Sequence, residues 1–279
     1  MNALLASKAC DITGLVAIAC ARHGCYALNA LVDLFLGEQQ KNVDFGLLRA
    51  ILMTHVDPDQ GLLLIYDIVC QYIVHLLDRI GHLLPEGLHV DAAIGLFHVH
   101  AHKDDCFFRF ASTFIPGAGI VAGEILESLW STLNSISPSA RTATLAHRAD
   151  ILDDHATDSN HKKMLGIVSS LCTNYKKAMD MSAHAQEYYD NLTNQAGPIA
   201  VGKWEADILE AESGRDVNRP AMDIYSAQIE RPTVPISSSA DPTSPALDRW
   251  MAFALTVEAR QSVNANLYPI ICSHVKYYY

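Results

Sequence analysis

Two sets of residues in this 279-residue chain have types and spacings suited to metal chemistry. The first is acidic. Asp67 closes the apolar run Leu62-Leu63-Leu64-Ile65-Tyr66, and α/β sheets commonly display functional groups at the carboxyl ends of such strands. Glu124 and Glu127 are three residues apart, so on a helix their carboxylates share a face. Together they supply part of a two-Mg²⁺ site, in which hard ions about 3.5 to 4 Å apart sit among carboxylate oxygens and activate both the attacking and the leaving oxygen. The plainer alternatives are that Asp67 caps the next helix and that the two glutamates line a solvated helix face.

The second set is soft. Cys20 and His23 form a compact pair, and the run His-Val-His-Ala-His-Lys-Asp-Asp-Cys brings His98, His100, His102 and Cys106 close in sequence. Thiolate and imidazole favour zinc over magnesium, and Cys20, His23, His102 and Cys106 would make the four ligands of a closed structural site. The alternative is that the three alternating histidines occupy one face of a strand as satisfied polar groups.

These residues need a scaffold. Residues 12–36, rich in Val, Ile, Leu and Ala with Gly14 and Gly24 as punctuation, suit two short buried strands joined by a turn, with helix the competing reading. Asn42 to Met53 has helical apolar spacing and ends before Asp57-Pro58-Asp59. Leu62 to Asp67 reads as a buried strand, Ile68 to Ile80 as a helix, and Leu88 to His100 as a further strand. That order predicts an α/β fold with a mixed sheet over residues 1–137. Glu124 to Leu133, Ala140 to His155 and Asn160 to Asn191 are helical in pattern, so residues 138–195 are expected to be a helical extension, interrupted at Asp158-Ser159. Residues 196–279 are expected to be a weakly structured tail with a Pro/Ser-rich linker at 231–245 and no clear partner for its apolar residues.

Bulk properties narrow the function. No apolar stretch approaches the roughly 20 residues of a membrane span, and no basic region or small-residue cleavage site marks a secretory signal. Seven cysteines, an odd number, make no disulfide framework and favour a reducing compartment. The net charge of -11 argues against gripping DNA unaided, because phosphate contacts call for a basic patch. Walker loops, dinucleotide-binding glycine motifs and nucleophile elbows are not found.

Taken in order, the segments CDITGLVAIACARHGC (10–25), LIYDIVCQY (64–72), GLFHVHAHKDDCFFRF (95–110), FIPGAGIVAGEILESLWSTLNSIS (114–137) and TATLAHRADILDDHATDSNHKKM (142–164) resemble the Kyakuja-Dileera-Zisupton (KDZ) transposases expanded in fungal genomes. The resemblance spans about residues 10–190. It implies a ribonuclease-H-like core whose aspartate, aspartate, glutamate triad holds two Mg²⁺ ions for DNA cleavage and strand transfer, in the nucleus if functional and otherwise in the cytoplasm. It further implies that Asp67 is the second aspartate, that Glu124, or in second place Glu127, is the glutamate, and that Cys20, His23, His98, His102 and Cys106 form a structural Zn²⁺ set, with His100 the least fitting.

Departures from the family pattern shape the expectation as much as the matches. In the family the first aspartate lies on a strand well before the CDITG segment, and neither Asp11 nor Asp33 matches that place. An Asp-Gly-Glu motif of the family reads Ala122-Gly123-Glu124 here. The expectation is thus an incomplete, N-terminally truncated and inactive ribonuclease-H-like core. Its competitors are a non-catalytic, zinc-stabilised binding or oligomerisation module, and a chain whose gapped sheet leaves an open edge and invites aggregation.

Overall fold

A computed structural model describes residues 11–119, 121–215, 221, 222, 224 and 270–277. The Pro/Ser-rich linker expected at 231–245 lies outside the described residues, as do residues 1–10.

The centre is a five-stranded mixed sheet. In chain order the strands are β1 (Gly14–Cys20), β2 (Tyr26–Leu34), β3 (Leu62–Tyr66), β4 (Val90–Ala93) and β5 (Ile270–Tyr277), and in space they run β2-β1-β5-β3-β4. β1 pairs antiparallel with both β2 and β5, while β3 pairs parallel with β4 and β5. The mixed α/β class agrees with the sequence expectation.

β1 and β3 carry unbroken apolar runs because both faces of the sheet are covered, which removes the need for polar alternation. Their side chains alternate between two cores. Val16, Ile18, Leu62 and Leu64 enter one, together with Val43, Leu47 and Ile51 of α1 (Gln40–Thr54). Leu15, Ala17, Leu63 and Ile65 enter the other, with Leu126, Leu129, Trp130 and Leu133 of α6 (Ile125–Leu133). Burying each such large side chain contributes about 1.5 to 3 kcal/mol, so both helices are fixed by the sheet rather than by their own propensity.

Between β3 and β4 the expected single helix is broken into α2 (Val69–Tyr72) and α3 (Leu76–Ile80), joined by a turn of 3₁₀-helix. A buried polar network holds this segment to α1: Arg79 donates two bonds to Asp44, and the Tyr72 hydroxyl donates a third at 2.7 Å.

The strand expected over Leu88 to His100 stops at Ala93. The chain then forms α4 (Leu96–Val99), a turn, and α5 (Asp104–Phe110). The three histidines are therefore not on one strand face, which removes that reading of them.

After α7 (Ser137–Thr142) the helix α8 (Leu145–Ala196) continues for 52 residues without the interruption expected at Asp158-Ser159. Polar residues at mid-helix cost only fractions of a kcal/mol each, and Asp158 pairs with Lys162 one turn on, at 2.6 Å. The tail is likewise more ordered in part than its composition implies. Pro198–Gly214 forms α9, with proline at the favoured first turn, and Ile270–Tyr277 is the central strand β5. Without β5 the sheet would divide into an antiparallel pair and a parallel pair, each with an open edge, and those edges are what an apolar, β-branched segment satisfies.

Candidate metal centre at the carboxyl edge of the sheet

Three segments distant in sequence meet beyond the end of β3. Asp67 leaves the strand directly after buried Tyr66, and Ile68, not Asp67, holds the N-cap position of α2. Its carboxylate lies 3.5 Å from Nδ1 of His98, which α4 presents from the neighbouring crossover. The other ring nitrogen, Nε2, is 3.4 Å from Glu124 and 3.7 Å from Glu127. His98, Glu124 and Glu127 offer ligand atoms that all lie within 4.8 Å of one another.

The spacing of α6 explains why both glutamates reach this point. Leu126, Leu129, Trp130 and Leu133 occupy the buried face at helical intervals, which leaves Glu127 on the open side and Glu124 at the N-cap position. Glu124 is anchored by the Phe97 backbone N–H, which donates to Oε1 at 3.1 Å. Two glycines permit the approach. A β-carbon on Gly95 would collide with the Glu124 carboxylate, and one on Gly123 would lie 2.9 Å from Ile65 Cγ2 and 3.0 Å from the Gly95 α-carbon. Gly123 also has φ +80°, a conformation that strains other residues.

Burial pushes the Glu124 carboxyl above the usual carboxylate range, and Glu127 and Asp67 push it the same way, opposed by His98 and the Phe97 N–H. Crowded carboxylates of this kind gain from a cation among them, and the His98 ring lies between them. His98, expected in the zinc set, thus stands with the acids. Asp33 is engaged elsewhere, bonded in bidentate fashion by Arg148 of α8.

The soft residues fall into two places. Cys20 and His23, at the turn between β1 and β2, have Sγ and Nδ1 3.4 Å apart, and among the described residues no third ligand joins them within the same reach. His102 and Cys106 gather instead with Cys70 of α2, whose Sγ is 3.6 Å from His102 Nδ1. The sheet order accounts for the separation: β5 and β3 intervene between β1 and β4, a displacement of about 14 Å at ordinary strand spacing. Cys70 is not among the ligands expected from sequence. Its signal is the Asp67-x-x-Cys70 spacing, which on a helical turn puts the thiol one turn beyond the acid.

A mixed sheet covered on both faces, with an acidic cluster at its carboxyl edge and a Cys/His cluster one helical turn away, describes an α/β protein with two groups of side chains able to ligate metal. A family model described as KDZ, Kyakuja-Dileera-Zisupton transposase, matches residues 2–160, more than half of the chain, and the chain belongs to that family. Its function is accordingly transposase-related. No curated protein and no solved structure matches it. Among the described residues no helix is long and apolar enough to cross a membrane.

Proposed function

We propose that this chain carries two corners of the catalytic site of a metal-dependent DNA transposase with a ribonuclease-H-like core, and that in this form it does not cleave DNA. The observation that carries the reading is the convergence of Asp67, from the end of β3, with Glu124 and Glu127, from the start of α6, on the single side chain of His98. Segments 57 and 60 residues apart, counted from 67 to 124 and 127, have no local reason to bring three carboxylates together.

The donor set fits a hard divalent cation. Glu124 and Glu127, whose ligand atoms lie within 4.8 Å of each other and of His98, would hold it, and Asp67, on the other ring nitrogen of His98, would join them once that ring moves from between. A bound Mg²⁺ would supply an activated oxygen nucleophile and stabilise the leaving oxygen of a phosphodiester. The protein's own share is to fix Glu124 through the Phe97 N–H and to gather the acids around His98 at the carboxyl edge of the sheet. Inactivity is inferred from the two strands that flank β3: β4 carries its one acid, Asp91, opposite Leu63, two residues short of the end of the β3–β4 pairing at Ile65, which leaves the other neighbour, β5. Ser273 of β5 pairs with Tyr66, so β5 is the element from which a third acid would approach Asp67, and Ile270–Tyr277 contains no Asp or Glu. The net charge of -11 adds that DNA would bind weakly.

The test is nicking of supercoiled and short duplex DNA with Mg²⁺ or Mn²⁺, beside Mn²⁺ binding followed by electron paramagnetic resonance. The parent should cleave no faster than Asp67→Ala, while binding Mn²⁺ in a way that Asp67→Ala weakens at least tenfold. Mg²⁺-dependent nicking by the parent that Asp67→Ala abolishes would overturn the inactivity, and equal Mn²⁺ binding by both proteins would overturn the site.

A further inference from the structure

Cys70, His102 and Cys106 lie apart from the acidic cluster, and their geometry points to a site of their own. We propose that they bind one Zn²⁺ or similar soft divalent cation, separately from the Cys20 and His23 pair, and that the bound ion clamps the segment bearing Asp67 to the segment bearing His98.

The distances match the chemistry. Zn–S and Zn–N bonds of about 2.3 and 2.0 Å at a tetrahedral angle put sulfur and nitrogen roughly 3.5 Å apart. Cys70 Sγ and His102 Nδ1 are 3.6 Å apart, and the ligand atoms of all three residues lie within 4.8 Å of one another. All three are partly buried, and both cysteines are free thiols that pack against the apolar core. Two thiolates and one imidazole select zinc over magnesium or calcium.

A cavity of about 600 Å³ adjoins the trio and is lined also by Gln71, Lys103 and Arg109. The fourth coordination position thus faces an open space that admits water or an anionic ligand, and Lys103 and Arg109 favour the latter. Three ligands among the described residues, with a fourth position turned to this space, is the pattern of a zinc site that can exchange its fourth ligand.

The clamp follows from the spacing. Cys70 is three residues after Asp67, and His102 is four residues after His98, so an ion joining Cys70 to His102 fixes the two turns from which the acidic cluster is built. The trio stands whether or not the acidic edge binds Mg²⁺, because its ligands are different residues and its preferred metal is different.

Co²⁺ titration of the reduced, metal-free full chain tests this. The parent should take up one Co²⁺ per chain at this site with a thiolate-to-cobalt charge-transfer band that Zn²⁺ displaces. Cys70→Ser and Cys106→Ser should each lose about half of that band's intensity and at least tenfold in affinity, whereas Cys20→Ser keeps both. Should the variants fail to fold, alkylation of the parent reads the same site: Zn²⁺ should protect Cys70 and Cys106, mapped by mass spectrometry. Hydrogen exchange should slow in residues 67–72 and 98–106 on Zn²⁺ addition. Undiminished cobalt absorption in Cys70→Ser, or equal alkylation of Cys70 and Cys106 with and without Zn²⁺, would overturn the site. Unchanged exchange with bound metal would overturn the clamp.

Discussion

β3 and α8 are opposites in how sequence is converted into structure. All five residues of Leu62–Tyr66 are buried, whereas the 52 residues of α8 bury only Arg148 and Leu152. A strand enclosed on both faces has little freedom in what it can be, and residues placed at its end inherit that rigidity. The helix spans roughly 78 Å at 1.5 Å per residue and, among the described residues, is tied to the sheet along its N-terminal third. Arg148 grips Asp33, Leu152 enters the core, and Asn160 exchanges two hydrogen bonds with the Tyr26 backbone, at 2.8 and 3.0 Å. Past that point Met164, Leu165, Val168 and Leu171 are exposed. The family match ends at residue 160, where the helix makes those last two bonds. The residues that match the family supply four of the five strands, β5 lying outside the match, and the start of the helix that braces them; the remainder of the helix answers to fewer constraints.

The largest effect that would test this contrast is at the brace itself. Arg148→Ala leaves Asp33 facing the core without its bidentate partner and should cost about 3 to 5 kcal/mol, read by chemical denaturation. A loss below 1 kcal/mol would mean that the helix is not held to the sheet through this pair. Next comes the acidic edge. Gly95→Ala should destabilise by about 1 to 3 kcal/mol and weaken Mn²⁺ binding, because the added methyl displaces the Glu124 carboxylate.

A subtler change concerns pH. The Glu124 carboxyl is raised mainly by burial, so the folded state holds its proton longer than the unfolded state and stability falls as pH rises through that window. Without metal, Glu124→Gln should therefore have a higher denaturation midpoint than the parent at neutral pH, and the gap should close below the usual carboxylate range. A gap that widens on acidification would contradict the burial of Glu124. The smallest effect is expected far along α8: Val168→Ser should change stability by no more than about 0.5 kcal/mol, since the side chain is exposed. A larger loss would show that this stretch has a packing partner.

Much of the scaffold was legible because its causes are local. The apolar run before Asp67 announces a doubly covered strand, and the spacing of Leu126, Leu129, Trp130 and Leu133 announces a helix that leaves Glu127 outward. The histidines were harder to read. His-x-His-x-His alternates as a strand would, but Gly95 opens a short helix, and His98 and His102 then face different clusters. Continuity of α8 through Asp158-Ser159 was hidden because two weak helix formers look like a stop, while the Asp158 to Lys162 pair offsets their small cost.

The sequence alone determined the residue types available, the strand that ends in Asp67 and the helix that carries both glutamates, since burial pattern and periodicity act within a few residues. Only the tertiary structure decided which distant groups meet. It set His98 among the acids, joined Cys70 to His102 and Cys106, and left Cys20 and His23 as a pair, because those outcomes depend on the lateral order of strands. It also placed Ile270–Tyr277 between β1 and β3. Open backbone edges attract any segment of suitable β character, and nothing within those eight residues names the edge they fill.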